Sequence, residues 1–172
     1  MKKIISPISR FDLEKELNEE TFIRKTNFCN HDIYIVDFKN QRNTSMEIGR
    51  LRELTFRNAG GGTGKSFDLD EFDTREEAFY KQLIVWDPDE KQIIGGYRFM
   101  QGSDIINSKK FNNSATNTLF NYNDDFYKNI FPYTIELGRS FVQPAYQSSS
   151  GNRKAIFSLD NLWDGLGALV VD

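Results

Sequence analysis

Carboxylates and arginines carry whatever chemistry this sequence can do. Asp70-Glu71-Phe72-Asp73 sets two aspartates three residues apart, so a turn or helix aims both at one point, and Arg52, Arg98 and Arg139 supply the opposite charge. Such a set can hold charged groups of either sign: carboxylates take a cation, and an arginine takes a carboxylate through two parallel hydrogen bonds. The same residues serve equally well as a scaffold tying a glycine loop to a hairpin, and residue types leave both readings open. Glu136 lies between Ile135 and Leu137, so on a strand its side chain points opposite to theirs. A partly buried glutamate is a candidate general base, with a salt bridge to Arg98 or Arg139 as the structural alternative. Cys29 and His31 each stand alone in the chain. That excludes an intrachain disulfide, thiolate-rich zinc sites and zinc sites with two or more histidines, and no metal site is read.

A second pattern points elsewhere. Ala59-Gly60-Gly61-Gly62-Thr63-Gly64-Lys65-Ser66 satisfies a permissive P-loop signature, and Leu83-Ile84-Val85-Trp86-Asp87 imitates a strand ending in a magnesium-binding aspartate. A P-loop needs a strand before it and a helix after it. Here a charged amphipathic helix bearing Arg50, Arg52, Glu53 and Arg57 precedes the glycines, and the carboxylates of 68–73, which repel a triphosphate, follow. The segment is expected to be a mobile glycine loop over a substrate, with Asp87 the first residue of a hairpin turn.

Positioning these residues requires an α/β framework. A helix is expected over 12–20, a half-buried strand over 31–38, and a helix from about 45, opened by Thr44 and Glu47 at capping-box spacing and closed by the glycines at 60–62. Residues 80–86 and 93–100 read as strands joined by Asp87-Pro88-Asp89-Glu90, 133–142 as a further strand, and 118–130 as helical. Residues 102–118 read as a loop rich in Ser and Asn. Leu159, Leu162, Trp163, Leu166 and Val170 give an amphipathic helix after Lys154.

The spaced set Arg52 and Phe56, Asp70 to Asp73, Gly96-Tyr97-Arg98, and Glu136-Leu137-Gly138-Arg139-Ser140 with Val142-Gln143-Pro144-Ala145-Tyr146 resembles the GNAT superfamily of N-acyltransferases. The likeness, over about 45–170, is to the branch using acyl carrier protein: the ornithine-lipid and glycine-lipid N-acyltransferases, often called hemolysin-like, and more distantly the acyl-homoserine-lactone synthases. It implies a central mixed, mostly antiparallel sheet flanked by helices, Glu136 as base, and Arg52, Phe56, Asp70, Asp73, Arg98, Arg139 and Ser140 around the acceptor. It further implies a phosphopantetheine loop of Gln147, Ser148, Ser149, Gly151, Asn152 and Arg153, less basic than is usual, with Arg153 and Lys154 facing an acidic acyl carrier protein. No tightly bound cofactor is implied, the acyl-carrier thioester being a co-substrate. A GNAT sheet splays between its fourth and fifth strands, and the fifth would start just past Asp172. The chain therefore reads as an extension, 1–44, packed on the N-terminal part of such a domain, 45–172, cut before half its cleft.

At 172 residues the chain suits one domain, and with 38% hydrophobic and 27% charged residues it suits a globular protein. A net charge of −3 gives no general attraction to nucleic acid. There is no run of ~20 apolar residues and no secretory leader pattern, so a cytoplasmic location, with peripheral membrane association, is expected. The reading is transfer of a long, 3-hydroxylated or plain, acyl chain from acyl carrier protein to the α-amine of glycine or ornithine. An autoinducer-type synthase using S-adenosylmethionine, a non-enzymatic hemolysin-like interaction protein and a P-loop nucleotide-binding protein are the alternatives.

Overall fold

The computed structural model describes residues 1–75, 80–108, 114–148, 151 and 153–171. Five strands form one sheet in the order of the sequence: β1 (Phe22–Lys25), β2 (Asp32–Val36), β3 (Lys81–Asp87), β4 (Gln92–Gln101) and β5 (Ile135–Val142). Every pairing is antiparallel. Alternation along the strands sorts their side chains onto two faces. Tyr34, Val36, Ile84, Trp86, Ile93 and Phe141 pack against α1 (Arg10–Glu16) and α2 (Arg42–Asn58) through Leu13, Leu17, Ile48 and Leu51. On the other face Ile33, Leu83, Val85, Ile94 and Phe99 meet Leu162 of α6 (Ser158–Val171). A third cluster of Tyr80, Met100, Ile105 and Phe131 fills the end of the sheet under α4 (Gly102–Ser108) and α5 (Asp124–Asn129). A short α3 (Glu71–Thr74) completes the helices.

The hairpin at Asp87 to Glu90 forms as expected: Asp87 Oδ1 accepts the N–H groups of Asp89 and Glu90 at 3.0 and 3.1 Å. Several other expectations are corrected. Asp87 itself ends β3 fully buried, its Oδ2 accepting the Tyr146 hydroxyl at 2.9 Å. Thr44 opens no capping box, because α2 starts earlier and Glu16 of α1 supplies the cap from outside, accepting the N–H groups of Asn43 and Thr44 at 3.0 and 2.7 Å. Glu47, freed from that task, accepts the Ile8 N–H and pairs with Arg50. Residues 102–108 are helical rather than loop, and helix within 118–130 is confined to α5. Residues 1–44 do more than pack on a domain: they supply α1, β1 and β2, and β2 pairs with β3 along its whole length. On α6 the expected apolar face is partly reversed, with Leu162 buried while Leu159, Trp163 and Val170 point outward. The inward line runs through Gly165, where a Cβ would lie 2.6 Å from Leu83 Cδ2.

Candidate active site

Arg52 projects from α2 into the sheet side of the molecule and is wholly buried. Its Nη1 and Nη2 donate to the two oxygens of Asp73 at 3.2 and 3.0 Å, a two-pronged pair, and Nη1 also donates to Gln82 Oε1 at 3.3 Å. Gln82 returns a bond to Asp73 Oδ1 at 2.9 Å. Asp73 is placed by a capping box in which Asp70 accepts the N–H groups of Phe72 and Asp73, and Asp73 accepts that of Asp70. Arg98, facing Gln82 across the β3–β4 pair, donates from Nη1 to Asp70 Oδ1 at 2.7 Å and to Asp73 Oδ2 at 3.2 Å. Arg139 closes the set with looser contacts, 3.5 Å to Asp68 and 3.4 Å to Asp70. Three carboxylates and three guanidiniums thus tie α2, α3, β3, β4 and β5 together.

The cluster is graded from a sealed base to an open rim. At the base, burial pushes the Asp73 carboxyl above its ordinary value despite Arg52 and Arg98, and burial lowers Arg52 despite Asp73 and Asp68. Toward the rim, burial again pushes Asp70 upward, but the hydrogen bond and charge of Arg98, with Asp73 and Arg139, outweigh it and hold the carboxyl at about 2. Arg139 is the most exposed of the three arginines, 37% by side chain against 0% for Arg52 and 7% for Arg98. Exchange of partners with an incoming zwitterion is therefore available to Arg139 and Asp70, whereas the Arg52–Asp73–Gln82 base is scaffold.

Arg139 owes its direction to a bulge. Between the pairs Gly96–Phe141 and Arg98–Gly138, β5 has two residues where β4 has one, and Arg139 takes the left-handed region with φ 51°. The pairing puts Glu136 and Gly138 on the face that carries Arg98. A Cβ built on Gly138 would meet nothing within 4 Å, so this part of the edge strand opens onto free space. Glu136 flanks that space, half-buried. Its Oε1 accepts the Tyr80 hydroxyl at 2.8 Å and the Thr116 N–H at 3.2 Å, while Oε2 is shielded and has no hydrogen-bond partner. The salt bridges to Arg98 or Arg139 left open by the sequence do not form at Glu136.

Ser140 lies exposed beside Arg139, and Phe56 sits apart, packed against the α1–α2 core. The glycine loop is neither a P-loop nor loose. Glu53, fully buried, accepts the N–H and hydroxyl of Thr63 at 2.9 and 2.6 Å, the Gly64 N–H at 2.9 Å, and two bonds from Arg57. Its carboxylate fills the backbone nest a phosphate would need. From outside, the Lys2 and Ile5 N–H groups donate to Gly64 and Ser66. In the 147–153 segment Gln147 donates from Nε2 to the Val142 carbonyl, Ser148 is exposed, and Gly151 has φ 72°. Ser149, Ser150 and Asn152, and the side chains of Arg153 and Lys154, lie outside the described residues.

Residues 51–155 match the acetyltransferase (GNAT) domain family. The chain belongs to the GNAT family. This GNAT chain is 51% identical to a glycine N(alpha)-acyltransferase of Bacteroides thetaiotaomicron and 48% identical to one of Phocaeicola vulgatus, over 99% of its own length. It spans about half the length of each, 51% and 52%. No solved structure matches it significantly. The family region begins inside α2, at the turn that carries Arg52, so β1 and β2 lie outside it while sharing its sheet. Gln82 and Tyr80 are the residues around the cluster that sequence reasoning passed over; Asp68 and Glu53 were read there only as charges flanking the glycine loop. Gln82 alone carried a signal, as a polar residue heading an apolar strand.

Proposed function

We propose that the full-length protein joins an acyl group to the α-amine of glycine, taking it from a phosphopantetheine thioester on acyl carrier protein. The observation that carries this reading is Glu136: a shielded carboxylate with one oxygen anchored and one unpartnered, beside open space over Gly138 and next to the Arg98–Arg139 rim. The relatives' names support glycine as the acceptor class. Glycine would sit over Gly138 with its carboxylate on Arg139 and its ammonium toward Asp70 and Glu136. Loss of one ammonium proton to Glu136 Oε2 gives the neutral amine, whose nitrogen attacks the thioester carbonyl; the C–N bond forms, the C–S bond breaks, and the thiolate leaves as thiol with the second proton that the nitrogen sheds on becoming an amide. Gln147, Ser148, Ser149, Gly151, Asn152 and Arg153 are proposed to cradle the donor phosphate, supported by the left-handed backbone at Gly151. Among the described residues no helix is long and apolar enough to cross a membrane. The test is mass spectrometry of lipids from cells expressing the full-length protein: new N-acyl glycines are expected, and N-acyl ornithine or no product would overturn the acceptor or the activity.

A further inference from the structure

Tyr80 stands at the head of β3, wholly inside the molecule, and its hydroxyl is used twice. It accepts the Ala115 N–H at 2.6 Å and donates to Glu136 Oε1 at 2.8 Å. The ring itself is wedged. The Arg98 guanidinium lies 5.0 Å from its centroid, and Phe72 meets it edge-on at 5.5 Å. A donor whose ring is packed against both Arg98 and Phe72, which also touch each other, holds its acceptor in one orientation, and Glu136 Oε1 receives a second donor from the Thr116 backbone. The outcome is asymmetric: Oε1 is saturated by immobile groups, and Oε2, shielded from solvent, has none.

We propose that Tyr80 is a positioning residue for proton transfer at Glu136, clamping Oε1 so that Oε2 is the oxygen left to take the proton. This rests on the reading of Glu136 as the base. The proton moves from the substrate ammonium to Oε2, and Tyr80 keeps its own throughout. Burial and the neighbouring Glu136 hold its phenol well above the ordinary value of 10.0, against the pull of the Ala115 N–H, so it remains a donor across the working pH range. Without the clamp the carboxylate rotates about its last bond, and misplacement on the ångström scale lowers turnover rather than binding.

The experiment is a double-mutant cycle on the full-length protein with glycine and a long-chain acyl carrier protein thioester. Tyr80→Phe removes one oxygen; kcat is expected to fall roughly 10- to 100-fold, with both KM values within about twofold of the parent. In a Glu136→Gln background the same change is expected to cost less than about twofold, since there is no carboxylate left to aim. An equal loss in both backgrounds, or a rise in KM with kcat intact, overturns the positioning role. Full activity of Glu136→Gln alone overturns the base reading instead, so the two failures are distinguishable. Should Tyr80→Phe lose its cooperative melt, the α-hydroxy acid analogue of threonine at position 116 asks the same question: the ester deletes the second donor to Oε1 without the clash that a proline would make with the helical backbone of Ala115. Its expected partial loss of kcat must likewise vanish with Glu136→Gln, and persistence there overturns the proposal.

Discussion

Glu53 and Glu136 are the same residue in two settings. Glu53 is saturated: Thr63 and Gly64 approach its two oxygens from the loop and Arg57 from its own helix. Burial pushes its carboxyl up, but these bonds outweigh burial and keep it below its ordinary value, an anion with nothing left to accept. Glu136 has half as much: one oxygen held, one shielded and idle. A carboxylate whose lone pairs are all engaged holds structure together, and one with a shielded, vacant oxygen still has a lone pair to offer a proton. Residue type does not separate the two; the count of donors per oxygen does.

The sharpest way to break this contrast is to exchange the effects. Glu136→Gln is expected to lower turnover by roughly 10²- to 10⁴-fold while leaving the melting curve nearly unchanged. Glu53→Ala should do the reverse, costing on the order of 2–3 kcal/mol because it empties a fully buried position and releases the glycine loop and Arg57 from it, read as a fall in Tm on the order of 5–10 °C. If Glu53→Ala instead abolished turnover at unchanged Tm, the division of labour would be gone. Filling the space over Gly138 sharpens the same point: Gly138→Val is expected to raise the KM for glycine about tenfold or more, more than that for the thioester, in steady-state kinetics.

The rim of the cluster makes a pH-dependent statement. Asp70 is held at about 2, below its ordinary value of 3.8, so its contribution to folding is fully present above that ordinary value and is lost as pH falls toward 2. Asp73, shifted upward, works the other way and is relieved by protonation. Asp70→Asn keeps a capping oxygen but not the charge. Its stability deficit in acid titrations followed by circular dichroism should be constant near neutrality and close in that low window. The absence of any deficit at neutral pH would assign Asp70 to capping alone. The smallest effect is expected at Lys65: Lys65→Ala should change neither Tm nor calorimetric ATP titrations, since Glu53 already occupies the loop's nest.

How much of this was legible in the sequence follows from how local each signal was. The β3–β4 hairpin and the charged set Arg52, Asp70, Asp73, Arg98 and Arg139 could be read because turn residues and alternating charge are visible in short windows. Strand β1 was not, since Phe22-Ile23-Arg24-Lys25 is short and exists through pairing with β2. Helix α4 overrode a loop-like composition because Ile105 has a place in the end core. The Thr44 cap failed for a reason outside its own window, the arrival of Glu16 from α1. Tyr80 was invisible for a similar reason: its partners, Ala115 and Glu136, are 35 and 56 residues away. Alternation placed Glu136 correctly opposite Ile135 and Leu137, but the bulge at Arg139, which puts Phe141 on the same face as Glu136, breaks the two-residue rule and has no sequence mark.

The N-terminal strap gives the molecule a built-in order of events. Ile8 reaches Glu47 across 39 residues and the Lys2 carbonyl reaches Arg57 across 55, so these residues have no partners until α2 and the glycine loop are made. Contacts that distant in sequence close late and open early. The amide hydrogens of Lys2 and Ile5, bonded to Gly64 and Ser66, are therefore clocks for the loop: their exchange with deuterium reads how often the segment over Glu53 lets go.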